Sequence, residues 1–195
     1  MLYLISYLIG SIPLSVWLGK TIKGIDLRNH GSGATGATNT FRVLGFEIGL
    51  IILFFDVIKG ILLPSIFNIL GYKISPSETV LSGFFVVLGH ILPLFSNFKG
   101  GKGVATLFGI FCYFNPINTL ISLVGFIITL FFSKMVSLSS IVSSFLLPLS
   151  FYFLYPTFFS LHIYSFFVPI IIVFTHRTNL KRISKGIEPK ISIWF

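Results

Sequence analysis

Cysteine is almost absent from this chain: among 195 residues, Cys112 stands alone. A single thiol excludes an intrachain disulfide and a thiolate metal cluster, and leaves Cys112 as a small helix-packing residue. Acid is nearly as scarce. Five Asp and Glu residues, dispersed from Asp26 to Glu188, stand against 14 Lys and Arg. No cluster of carboxylates is present to hold paired metal ions, so neither a metal nor metal-assisted phosphoryl transfer is expected. The Gly-x-Ser-x-Gly nucleophile elbow is missing. No histidine has an aspartate five positions later, the arrangement common in acyltransferases that use acyl thioesters. Charged residues make up only 10% of the chain while 54% is hydrophobic, which excludes an ordinary soluble domain. Nothing basic precedes the first apolar run and no small-residue cleavage site follows it, so no secretory signal is expected. In a soluble chain a formal charge of +9 would suggest nucleic acid. In this one it points to anionic lipid and an anionic substrate, and to no nucleic acid.

What is present is a series of long apolar runs. Residues 1–19 carry no charge before Lys20 and are long enough for a first span. Within it, Ser11 and Ser15 share a helix face at i, i+4 and mark a close helix contact. Further apolar segments cover 45–70, 78–95, 104–114, 117–132, 135–155 and 158–175. The fourth, 104–114, reaches only about half the hydrocarbon thickness, at roughly 1.5 Å per residue. Serines crowd the first half of 135–155, where they suit packing and interhelix hydrogen bonds. If all seven segments cross with the N-terminus outside, every Lys and Arg except Lys59 and Lys73 falls on the cytoplasmic side. The expectation is therefore an all-α polytopic membrane helix bundle, a single domain over 1–195. It has seven transmembrane segments, one of them short, with the C-terminus cytoplasmic. Outer turns fall at Lys73 and Pro156, and Trp194 and Phe195 rest at the interface.

The organising stretch is the loop Lys99-Gly-Gly-Lys-Gly103, between two apolar segments. Gly100, Gly101 and Gly103 free the backbone to turn its N–H groups toward a ligand. Lys99 and Lys102 add charge, and the following helix adds a positive dipole end. Such a loop binds anions, phosphate above all. It is not a Walker A loop, because Lys102 is followed by glycine rather than Ser or Thr. The bland alternative is a lysine-rich turn anchoring helix ends at lipid headgroups.

Two more polar segments lie on the same side under this topology. In 24–44, Gly31, Gly33 and Gly36 alternate with the hydroxyls of Ser32, Thr35 and Thr38. Such a segment wraps an oxygen-rich ligand. Arg42, three residues after Asn39, is placed to hold a phosphate bidentately. In 176–190, His176 and Asn179 stand one helical turn apart. Asp56 and Lys59, at i, i+3 inside the second span, neutralise each other and read equally as a functional or a structural pair. His90 also reads two ways, as a reacting group or as a polar residue satisfying a loop carbonyl. These elements suit charge-stabilised transfer between phosphorylated small molecules beside a membrane. A transporter of an organic phosphate is the alternative. It would show internal repeats and midplane sites, and the sequence shows no repeat.

The three polar segments closely resemble those of the bacterial acyl-phosphate:glycerol-3-phosphate acyltransferases, integral membrane enzymes of phospholipid synthesis. Gly31-Ser-Gly-Ala-Thr-Gly-Ala-Thr-Asn39 with Arg42, Gly89-His90 through Gly100 to Thr106, and His176-Arg-x-Asn179 with Arg182 and Gly186-x-Glu188 carry the resemblance, which spans essentially the whole chain. Asp56-x-x-Lys59-Gly60 is also similar. The resemblance implies a reaction in which the sn-1 hydroxyl of glycerol 3-phosphate attacks a fatty acyl phosphate. Lysophosphatidate and inorganic phosphate are released, with no cofactor. It implies catalytic roles for Ser32, Lys102, His176 and Asn179. Substrate binding would fall to Gly31, Gly33, Thr38, Asn39, Arg42, His90, Lys99, Gly100, Gly101, Gly103, Thr106 and Arg177, with Asp56 and Lys59 as a supporting pair. The implied location is the bacterial cytoplasmic (inner) membrane, with the site on its cytoplasmic face.

Overall fold

The computed structural model describes residues 1–69, 71, 74–154 and 159–191. Lys73, the turn at Pro156 and the Trp194-Phe195 end lie outside the described residues. Helices α1 (Leu2–Gly10), α2 (Leu14–Lys23), α3 (Ala37–Leu44), α4 (Phe46–Ile69), α5 (Pro76–Ile91), α6 (Val104–Phe114), α7 (Pro116–Ser133), α8 (Val136–Leu154), α9 (Phe159–Thr175) and α10 (Arg177–Ser184) follow one another, and no strand occurs among the described residues. Two compact units can be distinguished, 1–113 and 114–195.

Helix ends are written locally in the sequence. At the start of α5 the Ser75 hydroxyl accepts the Glu78 N–H while the Glu78 carboxylate accepts the Ser75 N–H at 2.8 Å, with Pro76 in the first turn. Asn115 caps α7 by accepting the Asn118 N–H at 3.1 Å, again ahead of a proline. These breaks make 104–114 a separate eleven-residue helix, as its length suggested.

The first span is not continuous. It is interrupted at Ser11-Ile12-Pro13, because Pro13 offers no N–H to the preceding turn. The break corrects the reading of Ser11 and Ser15 as one helix face. The Ser11 hydroxyl donates back to Tyr7 O at 2.8 Å, and the Ser15 hydroxyl donates to Thr35 O at 2.5 Å. The serines of α8 meet the expectation in part: Ser137 donates outside its helix, to Glu188, while the others bond locally. Ser139, Ser140, Ser143 and Ser144 donate to carbonyls of their own helix or the residue before it. Their hydroxyls are satisfied locally, with Ser139, Ser140 and Ser144 buried and Ser143 partly so, and a bond from α7 to α8 runs from Ser122 to Ser143 O at 3.1 Å.

In the first unit, Leu27, Leu44, Ile48 and Ile52 form a buried cluster backed by Leu14, Leu18 and Val43. It pins α3 between α2 and α4 and leaves Thr38 and Arg42 exposed. Helix α4 crosses α6 so closely that a Cβ on Gly60 would strike Thr106 O. Gly60→Ala is therefore expected to cost about 1–3 kcal/mol, read as a lower thermal midpoint in detergent; an unchanged midpoint would show that the crossing can open at no cost.

Among the described residues, four helices are long and apolar enough to cross a membrane: Leu2–Lys23 taken through its break, Pro76–Ser96, Pro116–Ser133 and Val136–Leu154. A fifth is added if α9 and α10, bent by 63°, count as one span. On α7 the outward residues include Leu120, Val124, Ile127, Phe131 and Phe132, an apolar face suited to lipid. This is the helical pattern of an integral membrane protein.

Candidate functional site

In the first unit two polar loops are joined by named bonds. The first begins at Asp26, whose carboxylate accepts from Arg28 at 2.6 and 2.9 Å and pairs with Lys20 at 3.3 Å. The Arg28 hydrogen bond is the main cause that holds the Asp26 carboxyl far below the usual carboxylate range. Arg28 also donates to Ser96 O at 3.2 Å, reaching from the first loop to the second.

Asn39, buried on α3, closes the first loop on itself. Its amide donates to His30 O and Ala34 O at 3.0 and 2.9 Å, and its oxygen accepts the Ser32 N–H at 2.9 Å. Both amide hydrogens and the carbonyl are thus engaged in shaping the turn that presents Ser32. Ser32, Thr38 and Arg42 are exposed, and Thr38 and Arg42 share one face of α3 at i, i+4. Gly31 and Gly33 both take positive φ within this turn.

The second loop leaves α5 through the turn at Leu94–Ser96. Asn97 and Phe98 are both left-handed, with φ of 55° and 57°. For Phe98 this is a strained backbone, of order 1–2 kcal/mol. It is held by Phe98 N–H to Pro93 O at 2.9 Å and by the Ser96 hydroxyl to Lys99 O at 2.8 Å. Gly100 and Gly101 then lie directly on His90. A Cβ on Gly101 would overlap the His90 ring, and one on Gly100 would overlap the His90 and Ile91 carbonyls. The Gly101 N–H donates to His90 O at 3.0 Å, and Gly100 O accepts the Thr35 N–H at 3.2 Å. The loop amides are therefore not all turned outward: that of Gly101 is used by the fold. Lys102 is half-buried in this loop and Lys99 is exposed. Thr106 follows in α6, and its hydroxyl is fully buried with no hydrogen-bond partner.

Beneath the loop Asp56, Lys59 and His90 meet. Asp56 Oδ1 lies 2.9 Å from Lys59 Nζ and 3.4 Å from His90 Nδ1. The expected Asp56–Lys59 pair forms, and His90 joins it. It is the His90 carbonyl, not its ring, that meets the loop amide.

The second unit carries its own polar cluster. His176 stands at the α9–α10 bend, buried, with Nδ1 2.8 Å from Ile172 O. A carbonyl can only accept, so a proton sits on Nδ1 in this contact. Asn179 is also buried, and its Nδ2 donates to Glu188 Oε1 at 2.6 Å. The same carboxylate accepts from Ser137 at 2.7 Å and from Arg182 Nε at 2.7 Å. Burial opposes ionisation of Glu188, but the bonds from Arg182, Asn179 and Ser137 outweigh it and hold the carboxyl below its ordinary value. Arg177 points elsewhere, over the Phe174 ring at 4.8 Å, and is exposed. Sequence alone points to no link between Ser137 and Glu188. No local pattern announces a bond between residues 51 apart in sequence.

Comparison with known proteins extends along the whole chain. The family model described as glycerol-3-phosphate acyltransferase matches residues 1–186. A glycerol-3-phosphate acyltransferase of Fusobacterium nucleatum is 40% identical over 189 residues, covering 95% of this chain and 94% of that one. Those of Bacillus subtilis and Macrococcus caseolyticus are 40% and 43% identical, each covering 98% of this chain and 96% of the relative. The crystal structure of PlsY (YgiH), an integral membrane glycerol 3-phosphate acyltransferase, in its glycerol 3-phosphate form is 34% identical with a TM-score of 0.88. The match covers 98% of this chain and 94% of that one. Its lysophosphatidic acid form is 30% identical with a TM-score of 0.86. The chain belongs to the glycerol-3-phosphate acyltransferase family and is an acyltransferase with an integral membrane fold.

Proposed function

We propose that this acyltransferase moves a fatty acyl group from acyl phosphate to the sn-1 hydroxyl of glycerol 3-phosphate. The observation that carries the choice of donor is the Gly100–Gly103 loop. It is built at the start of α6, fixed by bonds to His90 and Thr35, and charged by Lys102. A loop of this kind holds a phosphate and stabilises it as it departs. A thioester donor would bring no phosphate to the reacting carbonyl.

In the reaction, the sn-1 oxygen bonds to the acyl carbonyl carbon, and the bond from that carbon to the phosphate oxygen breaks. Lys102 and the loop stabilise the departing phosphate. Arg42 anchors the phosphate of glycerol 3-phosphate from the exposed face of α3, with Thr38 beside it. Ser32, His176 and Asn179 orient the glycerol hydroxyls. The hydroxyl's proton passes to His176 or to a phosphate oxygen of the substrate. The N-terminus lies outside and the C-terminus in the cytoplasm of a bacterial inner membrane, so that both substrates are met on the cytoplasmic face and the acyl chain enters from the inner leaflet. The basic residues on the intervening loops support this orientation.

The test is an assay of the purified protein in detergent. Glycerol 3-phosphate is supplied with palmitoyl phosphate, palmitoyl-CoA or palmitoyl-acyl carrier protein. Lysophosphatidate and phosphate released together from palmitoyl phosphate alone is the expected result. Product from either thioester would overturn the leaving-group role of the loop. In the same assay Arg42→Ala is expected to raise KM for glycerol 3-phosphate about 10–100-fold, with KM for the acyl donor within about twofold. The reverse split would exchange the two phosphate sites.

A further inference from the structure

Three ionisable side chains converge inside the first unit and take no part in the steps above. Asp56, Lys59 and His90 are 4%, 5% and 7% exposed. Lys59 has an evident structural task. Its Nζ lies 3.4 Å from Ile12 O, where the Pro13 break costs the chain a helical hydrogen bond, and 5.0 Å from the centre of the Phe55 ring. Asp56 balances that charge. His90 is not needed for either purpose, yet its Nδ1 is 3.4 Å from Asp56 Oδ1 and 3.5 Å from Lys59 Nζ.

The other side of His90 supplies the explanation. Its ring is packed on Gly101 with no space for a methyl group between them, and its carbonyl accepts the Gly101 N–H. Gly100 O holds the Thr35 N–H, and Thr35 O holds the Ser15 hydroxyl. A cavity of about 10 Å³, the size of one water, lies among Ser15, Thr35, Asp56, Lys59 and His90. The contacts therefore run from Asp56 through the His90 imidazole to the glycine-lysine loop, and from there to the first loop.

We propose that Asp56 is a positioning residue for acyl transfer: its carboxylate orients the His90 ring, and that ring is the floor on which the Gly100–Gly103 loop takes its anion-binding shape. A carboxylate that fixes the direction of an imidazole is a familiar arrangement, because a charged acceptor selects one ring orientation. Here the oriented ring supports backbone rather than a metal or a substrate. The proposal rests on the acyl-phosphate reading above, and its test separates the two.

Removing the carboxylate alone would strand Lys59 as a buried unpaired charge. The informative variant is therefore D56N/K59M, in which both charges leave together, at the cost of the Lys59 contact to the Ile12 carbonyl. It is assayed in the full-length protein in detergent, beside amide hydrogen exchange over 98–104. The expected result has three parts. The protein still folds, with a thermal midpoint lowered by the lost Ile12 contact; exchange in the loop quickens about tenfold or more, beyond any change elsewhere in the first unit; and KM for palmitoyl phosphate rises about tenfold while KM for glycerol 3-phosphate moves less than about threefold. A merely structural ion pair would give unchanged loop exchange and an unchanged KM split once charge balance is restored, and either of those results overturns the proposal. Faster loop exchange in a protein whose wild type uses no acyl phosphate would sustain the positioning role while sinking the assigned donor. If D56N/K59M does not fold, His90→Gln tests the same point with Asp56 and Lys59 intact. It should reproduce the quickened loop exchange, and wild-type exchange in it overturns the proposal.

Discussion

Lys102→Ala is expected to lower acyl transfer about 10²–10³-fold at saturating substrates while the thermal midpoint stays near wild type. The size follows from where the charge acts. In the proposed reaction, negative charge gathers on the phosphate as the donor's carbon–oxygen bond breaks. A fixed ammonium at that point is worth more in the transition state than in the ground state, so its loss appears mainly in kcat. Lys102 is half-buried between two glycines of the loop, where water screens it only in part. Lys99, three residues earlier and exposed, faces full screening, and Lys99→Ala should cost less than about tenfold. Lys102→Arg keeps the charge but changes its shape and reach, and should recover activity only partly. Near-normal turnover by Lys102→Ala, measured as lysophosphatidate formed per enzyme, would remove this lysine from the reaction.

Glu188→Ala is expected to cost about 2–4 kcal/mol in the second unit and to remove most activity with it. One carboxylate here receives Ser137, Asn179 and Arg182, and its side chain is only 5% exposed. Truncation strands three donors at once and releases Asn179, one of the groups assigned to the glycerol hydroxyls. Glu188→Gln should be milder, since an amide oxygen still accepts from Ser137 and Asn179 but its nitrogen cannot accept from Arg182. The pH response has a definite sign. The folded carboxyl lies below its ordinary value, so the cluster's contribution is complete above the unfolded-state value. It is lost as pH falls through the lower, folded one. Thermal midpoints followed through neutral and mildly acidic pH should therefore be insensitive to this group in wild type. A loss of second-unit stability already at neutral pH in Glu188→Gln would confirm the carboxylate as the element that holds the cluster. Wild-type midpoints and activity in Glu188→Ala would instead make the cluster decorative.

Most helices were legible because their signals are local. Apolar runs ended by Lys99, by Asn115-Pro116 and by Lys134 correspond to α5, α6 and α7 within a few residues. The spacing of Asn39 and Arg42 matched α3, and the pairing of Asp56 with Lys59 followed from i, i+3 geometry inside an apolar segment. What stayed hidden depends on partners distant in sequence. Pro13 sits in a run as apolar as any other, and the break there is tolerated because Lys59, 47 residues on, meets the Ile12 carbonyl. Asn39 looked like a ligand because its amide suits one. The structure instead directs that amide to His30, Ser32 and Ala34, choices that depend on how the turn folds back. His90 was ambiguous for the same reason. Nothing near it in sequence shows that Asp56 stands on one side of its ring and Gly101 on the other.

The break at Pro13 and the bonds around it bear on the order in which the protein is made. Every contact that joins the two glycine loops, from Ile12, Ser15 and Thr35 to Asp56, His90 and Gly101, lies before residue 104. The bonds named around Glu188 come from Ser137, Asn179 and Arg182, all in the second unit. A ribosome adding about 5–20 residues per second therefore releases the partners of the first network seconds before His176 exists. Helix α4 is made with its aspartate already one turn from its lysine. The Lys99–Gly103 loop can take its shape when α5 folds back, before the second unit has been made.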